Sequence, residues 1–217
     1  MKKEKKVKIT KERRLEKEII GIILFLALLV AVFFIASSYF KSKNFFEYEG
    51  LTFAKQRLGN IPIYYHYYYF KAPDGKVIKY NMYLRNDPRY NNVTLLGDRS
   101  QLLAGGEVAF ISINTDGLQE CRYGPLAVGT LSSFLADNQM TVIGGNLDFW
   151  NAGAKKEKWV TCENKPGNRV VEVLAGNETQ VSINGKCYRV EVNNCEILEA
   201  VERLMVESVV DARRISI

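Results

Sequence analysis

Apolar and polar positions alternate in two distinct ways along this chain. From Ile19 to Phe40 the sequence reads IIGIILFLALLVAVFFIASSYF, an uncharged run of 22 residues. At ~1.5 Å per residue a helix of that length spans ~33 Å, enough for a hydrocarbon core of ~30 Å. A segment alone in lipid must satisfy its own backbone hydrogen bonds, so the run is predicted to be a transmembrane helix.

Beyond it the apolar runs are short. Phe45–Phe53 alternates loosely and reads as a first strand, and Lys55–Asn60 reads as a polar break. Ile61–Phe70, IPIYYHYYYF, and Val77–Leu84, VIKYNMYL, flank the turn residues Pro73-Asp74-Gly75 and are predicted to form a β-hairpin. Asn86-Asp87-Pro88-Arg89 closes it, because the residue before proline is driven from the α region. Residues 89–106 are polar with small apolar groups, and Gly105-Gly106 ends them. Glu107–Ile113 is a buried-type strand. Pro125 opens a helix to Asn138 with Leu126, Val128, Leu131, Phe134 and Leu135 on its apolar face. Met140–Ile143 follows as a strand stopped by Gly144-Gly145, and strand–helix–strand order implies parallel pairing.

Residues 146–168 read as irregular. Arg169–Leu174, Thr179–Ile183 and Lys186–Val192 are three more strands, the last two joined by Asn184-Gly185. Asn193 or Asn194 then caps a helix to about Arg213. Ile197, Leu198, Val201, Leu204, Met205 and Val209 form its apolar face, and Glu199, Arg203, Glu207 and Arg214 mark a solvated one. The expected fold class is α/β, with α+β as the alternative. Its plan is a tail (1–18), a transmembrane helix (19–40) and a mixed-sheet domain (41–217) with an N-terminal β-hairpin and two main helices.

Charge gives the expected topology. Residues 1–18 hold nine Lys/Arg and four Glu, whereas only Lys41 and Lys43 closely follow the apolar run. Basic residues stay on the cytoplasmic side, which puts the N-terminus in the cytoplasm and residues 41–217 outside, as a single-pass signal-anchor protein of the cell membrane. A secretory leader has an apolar run of only ~7–15 residues, so the length favours a retained anchor although Ala36-Ser37-Ser38 offers small residues for cleavage. The tail carries +5 of the net +6, leaving +1 for the rest, so the basic balance does not indicate nucleic acid.

All four cysteines follow the apolar run, and an even count in an oxidising compartment reads as two disulfides. Three pairings are possible, and strand direction discriminates among them. Arg169–Leu174 and Lys186–Val192 are separated by two tight turns and run parallel. Cys162 and Cys187 then share one pole. Cys195 lies at the other, ~20 Å away at ~3.3 Å per residue. Cys121 follows a strand and precedes a helix as Cys195 does. A disulfide needs Cα atoms within ~7 Å, so the expected bonds are Cys121–Cys195 and Cys162–Cys187.

Candidate chemistry is sparse. Tyr64, Tyr65, Tyr67, Tyr68 and Tyr69 alternate between strand faces, so one set is available as a binding surface while the other packs inward. The single histidine, His66, lies in this strand without ligand partners in sequence. Cys121 precedes a helix, where a thiolate would be stabilised, but disulfide formation competes for it. There is no Gly-x-Ser-x-Gly, phosphate loop or dinucleotide glycine pattern, and neither a cofactor nor a metal is expected. Asn92-Val93-Thr94 and Asn177-Glu178-Thr179 match the glycosylation acceptor pattern at Asn92 and Asn177.

Two segments, Tyr83-Leu84-Arg85-Asn86-Asp87-Pro88-Arg89 and Asn193-Asn194-Cys195-Glu196-Ile197-Leu198-Glu199-Ala200, resemble parts of uncharacterised archaeal single-span membrane proteins with an extracytoplasmic domain. That resemblance implies an archaeal cell surface and no particular activity. The expectation is a non-catalytic, membrane-anchored envelope protein that touches lipid through residues 19–40 and binds a protein or glycan partner. An accessory subunit of a membrane complex and a thiol-dependent surface enzyme using Cys121 are the alternatives.

Overall fold

The computed structural model describes residues 2–72, 74–98, 102–103 and 108–215, in two compact units, Met1–Phe46 and Glu47–Ile217. The first unit is dominated by one helix, α1 (Lys2–Asn44). Its stretch Ile19–Phe40 is long and apolar enough to cross a membrane, the one such helix among the described residues.

The second unit has mixed α/β content, as the sequence pattern implies. A four-stranded antiparallel meander comes first, built from β1 (Phe45–Tyr48), β2 (Leu51–Leu58), β3 (Ile61–Lys71) and β4 (Val77–Leu84). Two-residue turns, Glu49-Gly50 and Gly59-Asn60, join its first three strands with positive φ at Glu49, Gly50 and Gly59. A six-stranded sheet follows in the order β5-β9-β10-β8-β6-β7. It contains β5 (Thr94–Leu96), β6 (Val108–Ile113), β7 (Thr141–Asn146), β8 (Arg169–Ala175), β9 (Gln180–Asn184) and β10 (Cys187–Val192). Only the β9–β10 pair is antiparallel.

Helices α2 (Gly124–Asp137) and α4 (Ile197–Ile215) pack on each other between the two sheets. On one side they meet Val171, Val173, Tyr188, Val190 and Val192 of the large sheet; on the other lie Leu51, Phe53, Met82 and Leu84 of the meander. All of these are buried. The outer side of the large sheet has a small core of Phe110, Val160 and Val170, covered by the segment before β8.

Several local expectations are corrected. Phe45–Phe53 is two strands, bent at Glu49-Gly50. Lys55–Leu58, expected as a break, continues β2, because ladder hydrogen bonds to Ile61–Tyr64 hold it without any apolar face. Residues 89–106 include the end of a short 3₁₀ turn (Pro88–Tyr90), capped by Asp87, and also β5. The pair Gly144-Gly145 does not stop β7, which pairs with β6 through Asn146. At Gly145 a Cβ would lie 2.8 Å from Val160, so glycine admits the covering segment. Residues 146–168 contain a further short helix, α3 (Phe149–Lys155). Finally, Glu207 is buried, not solvated, because the meander covers the second side of α4.

Candidate binding face and its surroundings

The strand β3 is the most aromatic element, and its alternation sorts the tyrosines. Tyr65, Tyr67 and Tyr69 lie on the outer face of the meander; Tyr64, His66 and Tyr68 lie on the opposite face. Register adds β4 residues to the outer face, with Tyr83 opposite Tyr65, Asn81 opposite Tyr67 and Lys79 opposite Tyr69. Ring centroids are 5.1 Å apart for Tyr65–Tyr83, 6.0 Å for Tyr65–Tyr67 and 5.9 Å for Tyr67–Tyr69. The Tyr65 hydroxyl donates to Asn81 Oδ1 at 2.8 Å, and the Lys79 ammonium sits 4.3 Å from the Tyr67 ring centroid. Exposure is 48 % for Tyr67, 62 % for Tyr69 and 54 % for Tyr83, so the rings form a row open to solvent. Such a row offers π faces and phenolic hydroxyls around one cation, the Lys79 ammonium.

The inward residues do structural work. The Tyr68 hydroxyl donates to Asn138 Oδ1 at 3.0 Å, and burial pushes its phenol far above the ordinary range. Tyr80 packs edge-on against Phe134. Tyr64 is half-buried, with the Lys55 ammonium 5.9 Å from its ring centroid. His66 is 8 % exposed and has Nδ1 at 2.9 Å from the Thr52 carbonyl. A carbonyl only accepts, so Nδ1 carries the proton and Nε2 is the bare acceptor. Burial lowers the imidazole pKa, which keeps the ring neutral at pH 7.

Beneath β3 a cavity of about 840 Å³ is lined, among the described residues, by His66, Tyr68, Asn138, Leu51 and Val209, with the exposed Lys71 and Arg213 contributing cations. Its volume is in the range of small-molecule sites. His66 Nε2 has no partner among the described residues.

The meander is tied to α4 by buried polar contacts. Glu202 accepts the backbone N–H of Arg85 at 2.6 Å, that of Asn86 at 3.0 Å and the Asn86 side-chain amide at 2.9 Å. Burial pushes its carboxyl up to about 7 against the opposing effect of those three donors. Tyr48 donates to Glu207 at 3.0 Å, and Arg203 bonds both Tyr48 and Glu207.

The cysteines form two disulfides, Cys121–Cys195 with Cα atoms 5.0 Å apart and Cys162–Cys187 with Cα atoms 5.5 Å apart. These are the pairs that strand direction requires, and β8 and β10 do run parallel. No cysteine is free, so a Cys121 nucleophile has no thiol here. Cys162, Glu172 and Cys187 bring metal-ligand atom types within 4.8 Å. However, the sulfurs are bonded to each other, and Glu172 accepts from the Cys162 N–H and Arg189 Nε. Asn92 and Asn177 are both exposed, Asn92 after the 3₁₀ turn and Asn177 in the β8–β9 turn.

Two features escape a reading of the sequence alone. Tyr83 and Lys79 join the outer face through hairpin register; the alternation of Lys79, Asn81 and Tyr83 against Tyr80, Met82 and Leu84 is the signal that could have shown it. Phe149, Trp150 and Trp159 cluster through α3 and a single strand bridge, Asn146 to Trp159, which leaves no periodic pattern. Comparisons with protein-family models, with curated proteins and with solved structures found no match to this chain.

Proposed function

We propose that this chain is a membrane-anchored, non-catalytic surface protein that binds a protein or glycan partner through the outer face of its meander. The observation that carries the reading is the open row Tyr83–Tyr65–Tyr67–Tyr69, whose rings are spaced 5.1–6.0 Å apart. Exposed large aromatics in contact with one another are the usual anchors of recognition surfaces. The absence of any free thiol among the four cysteines weighs against a thiol-dependent enzyme. In this reading Ile19–Phe40 stays in the membrane, the basic residues before it face the cytoplasm and Glu47–Ile217 faces outward.

The test is site-directed photo-crosslinking in intact membranes. A benzophenone side chain at position 67 or 69 should capture a discrete partner, protein or glycoconjugate. The same probe at exposed Arg57 should not capture it. Tyr83→Ser, at the other end of the same row as the probe, should weaken capture at least tenfold while leaving the melting temperature unchanged. Equal labelling from all three probe positions would overturn the proposal. Protease added to intact cells should remove the outer unit, and a protected C-terminal tag would refute the orientation.

A further inference from the structure

The hairpin of β2 and β3 opens at the end remote from its turn. Their ladder runs from Leu58–Ile61 only to Ala54–Tyr65, whereas β3 and β4 stay paired as far as Lys71–Val77. From His66 onward β3 therefore has a ladder on one side only, and the His66 side chain, not its backbone, meets the Thr52 carbonyl. This parting makes room for the cavity of about 840 Å³ beneath β3. Leu51, Phe70, Leu103, Val209 and Ala212 give it apolar walls, and Leu51 and Val209 are buried. A water molecule needs ~2–4 polar partners, so such walls hold water poorly and suit an organic body.

The charged residues lining the cavity, among the described residues, are two cations, Lys71 and Arg213. Both are exposed and neither forms an ion pair among the described residues. Arg213 donates to the Gly50 carbonyl, which leaves most of its five N–H groups free for a further acceptor. Acids close by in sequence are engaged elsewhere: Glu49 and Asp211 both pair with Arg214, and Asp137 lines a different groove, beside Lys79. Burial, opposed by the bond to Thr52 and aided by the charge of Arg213, lowers the His66 pKa, so at pH 7 the ring adds no third cation. Exposed cations over buried apolar walls put positive charge at the mouth. A guanidinium fork matches a carboxylate, and an ammonium beside it strengthens the same contact.

We infer that this cavity binds an organic carboxylate, with its apolar body against Leu51, Phe70 and Val209 and its carboxylate at Lys71 and Arg213. The site shares β3 with the tyrosine row but does not rest on it. The row calls for a partner on the outer face of the meander, the cavity for a small molecule beneath it.

Dansylglycine is a fluorescent carboxylate of this class, and its amide carries the same body without the charge. Each would be titrated into the full chain in dodecylmaltoside micelles, with micelles alone as the blank. Dansylglycine should give a saturable gain in emission with one probe bound per chain, and the amide should bind about tenfold more weakly. The double variant Lys71→Gln, Arg213→Gln, changed only at exposed positions, should reduce the preference for acid over amide to nearly none. Ala212→Trp narrows the cavity and should abolish saturable binding of both probes; if that chain lacks a melting transition, the double variant decides alone. Absence of saturable binding overturns the inference. So does equal affinity for acid and amide, or a preference that survives the double variant. Displacement of dansylglycine by equimolar inorganic phosphate would assign the cations to a free anion and overturn it as well. Capture of a partner by probes at positions 67 and 69 is measured separately, so either reading can fail while the other stands.

Discussion

Replacing Glu202 with glutamine tests how α4 holds the meander. Glu202 is 2 % exposed, and its carboxyl is pushed up from 4.5 to about 7, with burial as the largest cause. Over that interval the folded chain keeps a proton that the unfolded chain has released. Folding stability therefore falls as pH rises from about 4.5 through about 7. At ~1.4 kcal/mol for each pH unit, the loss is about 3 kcal/mol. Glutamine does not titrate, so its share of the slope disappears. The amide also turns an N–H₂ toward donors that Glu202 accepts, the N–H groups of Arg85 and Asn86. One unsatisfied buried contact of that kind costs about 1–3 kcal/mol. The variant should therefore be less stable than the parent by about 1–3 kcal/mol near pH 5, and the two should converge near pH 8 as ionised Glu202 erodes the parent. Urea unfolding of both chains in detergent, followed by far-ultraviolet circular dichroism across this range, measures the difference; groups common to both cancel. A gap that stays constant with pH would refute the reasoning, because Glu202 would then be ionised throughout at no cost.

Other outcomes follow from the same structure. Removing Cys121–Cys195, which closes 74 residues, should cost about 4.4 kcal/mol by chain entropy, against about 3.5 kcal/mol for Cys162–Cys187 and its 25 residues; paired serine variants unfolded in urea give the order. Tyr68→Phe should lose about 1–2 kcal/mol by leaving Asn138 Oδ1 without its donor, whereas Tyr69→Phe should leave stability unchanged, as thermal melts would show. Gly97→Ala should be much worse than Gly59→Ala. At Gly97 a Cβ would fall 2.2 Å from the Ile183 carbonyl oxygen at φ +105°, while nothing lies within 4 Å of a Cβ at Gly59. The expected costs are roughly 3 kcal/mol or more against about 1 kcal/mol.

Legibility depended on whether a signal was local. An uncharged run such as Ile19–Phe40 admits one solution, since solvation of its backbone is decided within the segment. The β9–β10 hairpin, whose turn is Gly185-Lys186, one residue beyond the expected Asn184-Gly185 because Asn184 pairs with Cys187, and the helix opened by Pro125 are local in the same sense, because a few φ/ψ preferences settle them. Lys55–Leu58 was illegible because its strand is held by the backbone of a neighbour, and backbone hydrogen bonds leave no trace in side-chain polarity. The path of α3 and Trp159 was illegible for a related reason: a seven-residue helix and a single bridge give no period to detect.

By itself, then, the sequence determined the apolar helix, the α/β character of the rest, most of its strands and, through strand direction, the two disulfides. Tertiary structure decided the separation of the strands into two sheets and the placing of α2 and α4 between them. Periodicity shows that α4 has an apolar stripe, but not that a second sheet covers its other side. That second layer turns Glu207 from an apparent surface charge into a buried acceptor and gives the buried Glu202 its donors. It also sorts the tyrosines, because alternation divides β3 into two faces without saying which one meets protein. Packing of the meander on the helices turns Tyr68 inward and leaves Tyr65, Tyr67 and Tyr69 on the outer face, a choice made by contacts between residues up to 165 positions apart in the chain.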